Sequence, residues 1–118
     1  MLKKKNKIKK SNKTTYVFKA KLWKYHGPNG WYFLTVPKGL SSIIRKSHFL
    51  SEEGWGRLKT ISRVGGTKWM TSIWYDSKIG AYILPIKSEV RKKEDIKLDH
   101  PTSCTLEFEQ KCMLPFLG

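Results

Sequence analysis

Two glycines, Gly65 and Gly66, separate two runs in which apolar and polar residues alternate, and this feature constrains the fold more than any other. The runs cover residues 57–64 and 67–75. A period of two is typical of half-buried strands. Glycines tolerate the positive φ angles of a tight hairpin turn. The sequence therefore predicts an antiparallel β-hairpin closed at Gly65-Gly66.

A second hairpin is predicted nearer the N-terminus. Residues 15–23 alternate, and their apolar side is predicted to be buried. The turn cluster runs from Gly27 to Gly30, and an aromatic and β-branched run returns over residues 31–36. The side predicted to be buried contains Tyr16, Phe18, Ala20 and Leu22.

The rest of the chain predicts two short helices and two further strands. Apolar residues recur at helical spacing over residues 38–49, and a basic helix is predicted over residues 86–95. A strand over residues 81–84 ends at Pro85, and a last strand contains Cys104, Leu106 and Phe108. The order β-β-α-β-β-β-α-β, with short connections, predicts a mainly β protein built as a small barrel.

The positive charge is concentrated at the N-terminus. The chain has 24 Lys and Arg against nine Asp and Glu, a net charge of +15, and seven of its lysines lie in the first 13 residues. Residues 1–13 are therefore predicted to be a disordered Lys-rich tail that adds nothing to stability, residues 14–110 a single domain, and residues 111–118 a C-terminal tail. The basic tail has two interpretations: an arm that contacts nucleic-acid phosphates, or a solubilising extension.

Composition also bears on location. The sequence has no run of about 18 apolar residues and no apolar stretch typical of a secretory signal, so we expect a cytoplasmic protein with no membrane contact. Its two cysteines, Cys104 and Cys112, are too few for a disulfide framework and are expected to be reduced. Cys104 is predicted to pack in the core.

Ordered motifs along residues 16–108 resemble a bacterial family known as the domain of unknown function nineteen-oh-five. The motifs are YFLTVP (residues 32–37), GWG (54–56), VGGTKWMTS (64–72) and YILPIK (82–87) followed by VRK (90–92). The resemblance implies a double-split β-barrel, a fold shared with AbrB-like and MazE-like DNA-binding regulators. It also implies a stand-alone form, because only ten residues follow Phe108 and a YdeI-like second domain would not fit there. The family has no established activity.

The sequence departs from this family before the last strand. Relatives usually show a Gly-Asp pair there, whereas this chain has Leu98-Asp99-His100-Pro101. An internal echo is also present, because a strand, a proline, a short helix and a basic pair occur in both halves of the chain.

Catalytic signatures are missing from the sequence. It has no nucleophile elbow, P-loop, dinucleotide glycine pattern, HExxH helix or paired CxxC. None of its three histidines lies at metal-ligand spacing from another His or a Cys. The sequence therefore disfavours an enzyme and predicts no metal and no cofactor.

The five tryptophans fall into two groups. Trp23 and Trp74 alternate out of register with the other aromatics of their strands, so both are predicted to be partly exposed and are candidate aromatic contacts. Trp31, Trp55 and Trp69 lie in or beside the motifs and are predicted to fill the barrel.

Five cations are candidate contacts for an anion or for nucleic acid. Arg57, Lys59 and Arg63 share one face of a strand, and Arg45 and Arg91 are interpreted as comparable positions of the two helices.

Two functions from different classes follow from these residues. The first is a non-enzymatic module that binds nucleic acid weakly through basic residues. The second is a barrel that binds a small molecule or an acidic protein at a Trp-lined mouth. A contiguous basic face would favour nucleic acid, and a closed Trp-lined pocket with scattered lysines would favour the small ligand. The sequence leaves the oligomeric state open.

Overall fold

The computed structural model describes residues 13–109, and in that range one antiparallel sheet of seven strands curls into a half-barrel. The sheet order is β1-β7-β4-β5-β6-β3-β2. This confirms the mainly β class and the barrel-like curl. The strands are β1 (Lys13–Lys21), β2 (Trp23–Lys24), β3 (Tyr32–Thr35), β4 (Arg57–Val64), β5 (Thr67–Asp76), β6 (Ala81–Pro85) and β7 (Pro101–Glu109).

Two helices interrupt the strands: α1 (Lys38–His48) follows β3, and α2 (Ser88–Lys93) follows β6. Short 3-10 turns lie at Phe49–Ser51 and Gly54–Gly56. None of the helices in the described part is long and apolar enough to cross a membrane. Residues 1–12 of the predicted N-terminal tail and the whole predicted C-terminal tail, which includes Cys112, lie outside the described residues. Lys13, the last residue of the predicted N-terminal tail, begins β1.

The predicted first strand is two strands in the structure. β1 and β2 are separated only by Leu22, yet they form opposite edges of the sheet. Leu22 is buried, bridges to Leu98 and accepts a hydrogen bond from the Asp99 amide (2.9 Å). The predicted N-terminal hairpin is correspondingly short, because only β2 pairs with β3, whereas β1 pairs along its whole length with β7. Asp99, in the turn before β7, takes a φ of 62°.

The Gly65-Gly66 hairpin is confirmed. β4 and β5 pair from Val64 and Thr67 outwards, and Gly65 has a φ of 58°, a conformation that costs glycine little. The Gly27–Gly30 turn likewise uses a positive φ at Gly30, of 61°.

The internal echo is a local two-fold relationship between β3 and β6. The strands pair antiparallel with Leu34 opposite Leu84. On either side, the Val36 amide donates to the Tyr82 carbonyl and the Ile86 amide donates to the Tyr32 carbonyl, both at 2.9 Å. Under this two-fold, Arg45 and Arg91 do not occupy equivalent positions of the two helices, so the predicted equivalence is wrong.

Arg91 corresponds instead to Ser41 of α1. Arg91 Nε donates to the Ile86 carbonyl and Ser41 Oγ donates to the Val36 carbonyl, both at 3.1 Å. The spacing from the end of each strand to its arginine differs between the two halves of the chain, so Arg45 lies further along its helix.

Apolar side chains from the sheet and both helices form one core. Trp69 is buried there as predicted, and so is Cys104, whose thiol pKa is raised by that burial. The predicted filling roles of Trp31 and Trp55 are wrong, because these side chains are 49% and 90% exposed. The core comprises Phe18, Leu22, Leu34, Val36, Ile44, Leu58, Val64, Trp69, Ile73, Tyr82, Leu84, Ile86, Val90, Ile96, Cys104, Leu106 and Phe108.

His48 makes stability depend on pH. Its ring stacks on Phe108 (centroids 4.6 Å apart), its Nε2 lies 3.1 Å from the Tyr16 hydroxyl, and burial lowers its pKa below the usual 6.5. The unfolded chain therefore binds a proton at a higher pH than the folded chain does. The contribution of His48 to the free energy of unfolding should be fully present above about pH 6.5. It should be lost as the pH falls from there through the lowered pKa of His48.

Urea unfolding at several values between about pH 5 and pH 8 measures this slope. His48→Gln should flatten it, and His26→Gln, at an exposed position, should leave it unchanged. An unchanged slope in His48→Gln would contradict the assignment.

Candidate functional site

An aromatic groove of about 370 Å³ lies on the outer face of the half-barrel, the face turned away from the core. It is lined by Trp23, Tyr25, Asn29, Trp31, Phe33, Trp74, Asp76 and Ile83. Both predicted aromatic contacts, Trp23 and Trp74, are therefore brought together in one site. The groove also contains three aromatic side chains that the sequence did not single out for it.

The β2–β3 hairpin builds one wall of the groove. Its turn is tight, and the Tyr25 amide donates to the Trp31 carbonyl (2.8 Å). Phe33 lies between the aromatics that surround it: its ring centroid is 6.0 Å from stacked Trp31, 5.1 Å from Trp23 and 6.4 Å from edge-on Tyr25. Each such pair contributes about 0.5–1.5 kcal/mol beyond the area it buries. The wall is therefore preformed.

Trp23 is also held by a hydrogen bond, because its indole Nε1 donates to Thr35 Oγ1 (2.8 Å). The side chains of Phe33 and Thr35 both point away from the core because Leu34, between them in the strand, points into it. Because the turn is short, Tyr25 and Trp31 lie side by side at its two ends. Their closeness in the sequence on either side of the turn is the signal that could have identified them as groove residues.

Trp74 forms the opposite wall from β5. It lies between Arg57 of β4 and Ile83 of β6 in the sheet register, and it is 38% exposed. The Arg57 guanidinium carbon is 5.6 Å from its ring centroid, within cation–π range. Asp76 and Asn29 are the polar residues of the lining, and Asp76 Oδ1 accepts from the Lys78 amide (3.0 Å).

The outer face of β4 carries Arg57, Lys59 and Arg63, as the alternation predicts. Glu53 pairs with the first two, at 2.9 Å from Arg57 and 3.6 Å from Lys59. Arg63 is exposed and lies opposite Lys68 of β5. Part of the cationic charge on this strand is therefore neutralised by a carboxylate from the preceding turn.

The helix arginines lie in two other places. Arg91 stacks over Tyr32 at 3.7 Å, and its cavity of about 200 Å³ also contains Lys87 and Ser88. This cavity shares Asn29 and Trp31 with the aromatic groove, so Arg91 lies behind the groove wall. Arg45 stacks over Tyr75 at 3.7 Å in a separate cavity. The five predicted cations thus do not form one surface.

Chemistry at other positions is limited. Glu107 of β7 makes ion pairs with Lys13 (3.9 Å) and Lys68 (3.7 Å). Within residues 13–109 no three His, Cys, Asp or Glu side chains converge into a metal site.

Comparison with known proteins identifies the family. Curated proteins give no match to the chain. The model of the family described as Domain of unknown function (DUF1905) matches residues 18–106, which is 89 of the 118 residues and includes the strands that form the groove. The chain therefore belongs to the DUF1905 family.

Proposed function

We propose that the protein is a non-enzymatic binding module whose aromatic groove takes the bases of single-stranded nucleic acid. The observation that carries the proposal is the groove itself, in which Trp23, Trp31 and Trp74 are accessible on one preformed surface. Every base has a flat π-face, and stacking on an aromatic side chain contributes about 1–3 kcal/mol per base. Such faces are free only where bases are unpaired.

Cations on both sides of the groove support this occupant. Arg57 lies beside Trp74 on one side, and Arg91 and Lys87 lie beyond Trp31 on the other. A base in the groove would place its phosphates toward these groups. The net charge of +15 adds long-range attraction for a polyanion. Binding is expected to be weak and largely independent of sequence, because most of this attraction is to the backbone.

A small planar molecule is the second candidate. The groove volume of about 370 Å³ lies in the range of small-ligand pockets, and Glu53 pairs with two of the three β4 cations and offsets one of their charges. A small neutral ligand would bind with little salt dependence, whereas a polyanion releases counterions. Salt dependence therefore separates the two candidates.

The test titrates the protein with a single-stranded oligothymidylate and with a duplex of equal length at several salt concentrations. The single strand should bind more tightly. Lys87→Gln should reduce the slope of log K against log salt by about 0.7, the value for one lost phosphate contact on a single strand. Lys92→Gln removes the same charge from an exposed position of α2 that lines no groove, and it should leave the slope unchanged.

The same titration is repeated on the chain without residues 1–12. The slope should fall because six lysines are removed, while the difference between Lys87→Gln and Lys92→Gln should remain. Equal effects of the two substitutions would mean that the lysines act only through total charge, and no binding at low salt would leave the small planar ligand as the better candidate.

A further inference from the structure

A second cavity, of about 410 Å³, lies on the opposite side of β5 from the aromatic groove. Trp74 and Tyr75 are consecutive, so their side chains point to opposite faces, and Tyr75 packs against the core side and lines this cavity. The other lining residues are Ser42, Arg45, Lys46, Phe49 and Gly80.

Arg45 is preorganised and has unused donors. Its guanidinium carbon lies 3.7 Å from the Tyr75 ring centroid, which fixes the plane of the group against the ring. Arg91 stacks over Tyr32 at the same distance, but its Nε is used by the Ile86 carbonyl. Among residues 13–109 no hydrogen bond or ion pair engages the Arg45 guanidinium.

Two more polar groups come from the same helix. Ser42, Arg45 and Lys46 are spaced three and four residues apart, so they share one face of α1. A guanidinium, an ammonium and a hydroxyl on one face match the oxygens of a phosphate group. Phe49, 60% exposed, supplies an apolar wall beside them.

Tyr82, on the core side of Tyr75, interacts electrostatically with both Arg45 and Glu52. Tyr82 contacts Tyr75 edge-on (5.2 Å), and its buried hydroxyl has no hydrogen-bond partner. Burial, with a contribution from Glu52, raises the pKa of Tyr82 to about 12, so the phenol is neutral. The described residues that line the cavity include two cations, Arg45 and Lys46, and no carboxylate, so the lining is positively charged.

We propose that this cavity binds a small phosphate monoester whose organic part is planar and apolar. Arg45 and Lys46 hold the phosphate, Ser42 donates to one of its oxygens, and the organic part packs on Phe49. The site is independent of the aromatic groove, so either can exist without the other.

Calorimetric titration of the full chain with phenyl phosphate tests the proposal. One equivalent should bind per chain. Arg45→Gln should weaken binding about 10-fold or more, because a hydrogen bond to a charged group contributes about 1.5–3 kcal/mol. Arg63→Gln makes the same change at an exposed arginine on the outer face and should leave the affinity within about twofold, a minor change on the scale of interaction energies.

Phe49→Ala distinguishes the two parts of the ligand. It should weaken phenyl phosphate but leave inorganic phosphate unchanged, and thermal melting should show that each variant is folded. Equal weakening by Arg45→Gln and Arg63→Gln, or no saturable binding of phenyl phosphate, would overturn the proposal. Trp74→Ala should have no effect here, so this result is separate from the outcome for the groove. The proposal would also be overturned if a 5′-phosphorylated oligothymidylate bound in an Arg45-dependent way while phenyl phosphate did not. The site would then recognise the phosphorylated end of a nucleic acid.

Discussion

Trp69→Ala should lower the free energy of unfolding by about 3–5 kcal/mol, whereas Trp55→Ala should change it by less than about 0.5 kcal/mol. Trp69 is 9% exposed in the core, so its removal leaves a cavity the size of an indole ring. Trp55 is 90% exposed and has a φ of 67°, a conformation that costs a non-glycine residue free energy. Its side chain therefore contributes almost no packing to the fold.

Urea unfolding followed by far-UV circular dichroism measures both variants. Trp55→Gly serves as the control for the backbone, because glycine accepts the positive φ and should be no less stable than Trp55→Ala. A loss of more than about 2 kcal/mol in Trp55→Ala would contradict the exposed position, since surface substitutions rarely cost that much.

Replacing Trp23 and Trp74 together by alanine should weaken binding of a single-stranded oligothymidylate at least about 30-fold, from about 1–3 kcal/mol per lost stack. The two side chains form opposite walls of the aromatic groove, so the double variant removes one stacking surface from each wall and leaves Trp31 in place. Duplex binding, which depends on phosphates, should change little.

Two single variants control for this result. Met70→Ala removes an exposed apolar side chain from the same outer face without touching the groove, and Trp55→Ala removes a tryptophan elsewhere. Both should retain the affinity of the original chain. If Met70→Ala or Trp55→Ala weakens the single strand as much as the double variant does, the groove is not the binding surface.

Local patterns predicted those parts of the fold that depend on local interactions. The Gly65-Gly66 hairpin, the outward direction of Arg57, Lys59 and Arg63, and the partial exposure of Trp74 all follow from alternation within single strands. The pairing of β1 with β7 joins the two ends of the described chain, and no local pattern specifies it. The interruption at Leu22 follows from that pairing, because the chain there crosses from one sheet edge to the other.

Only part of the candidate site could be predicted, because the rest of it also depends on pairing between distant strands. Trp23 and Trp74 follow from strand register, whereas the position of Trp31 beside a motif predicts a core role that the structure contradicts. In the structure that hairpin is the sheet edge, and Trp31 stacks on Phe33 outside the core. The position of Arg91 behind Trp31 depends on the register of the two-fold between β3 and β6, which the paired strands reveal and the internal echo does not fix.

The indole N–H signals of the five tryptophans give the most direct test of the aromatic groove. Each is assigned by single substitution, and the uniformly labelled protein is titrated with the single-stranded oligothymidylate at low salt. The signals of Trp23, Trp31 and Trp74 should shift together with one saturation curve, and those of Trp55 and Trp69 should stay in place. Shifts confined to Trp55, or no shift at any groove tryptophan while the oligonucleotide binds, would contradict the claim that the groove holds the bases.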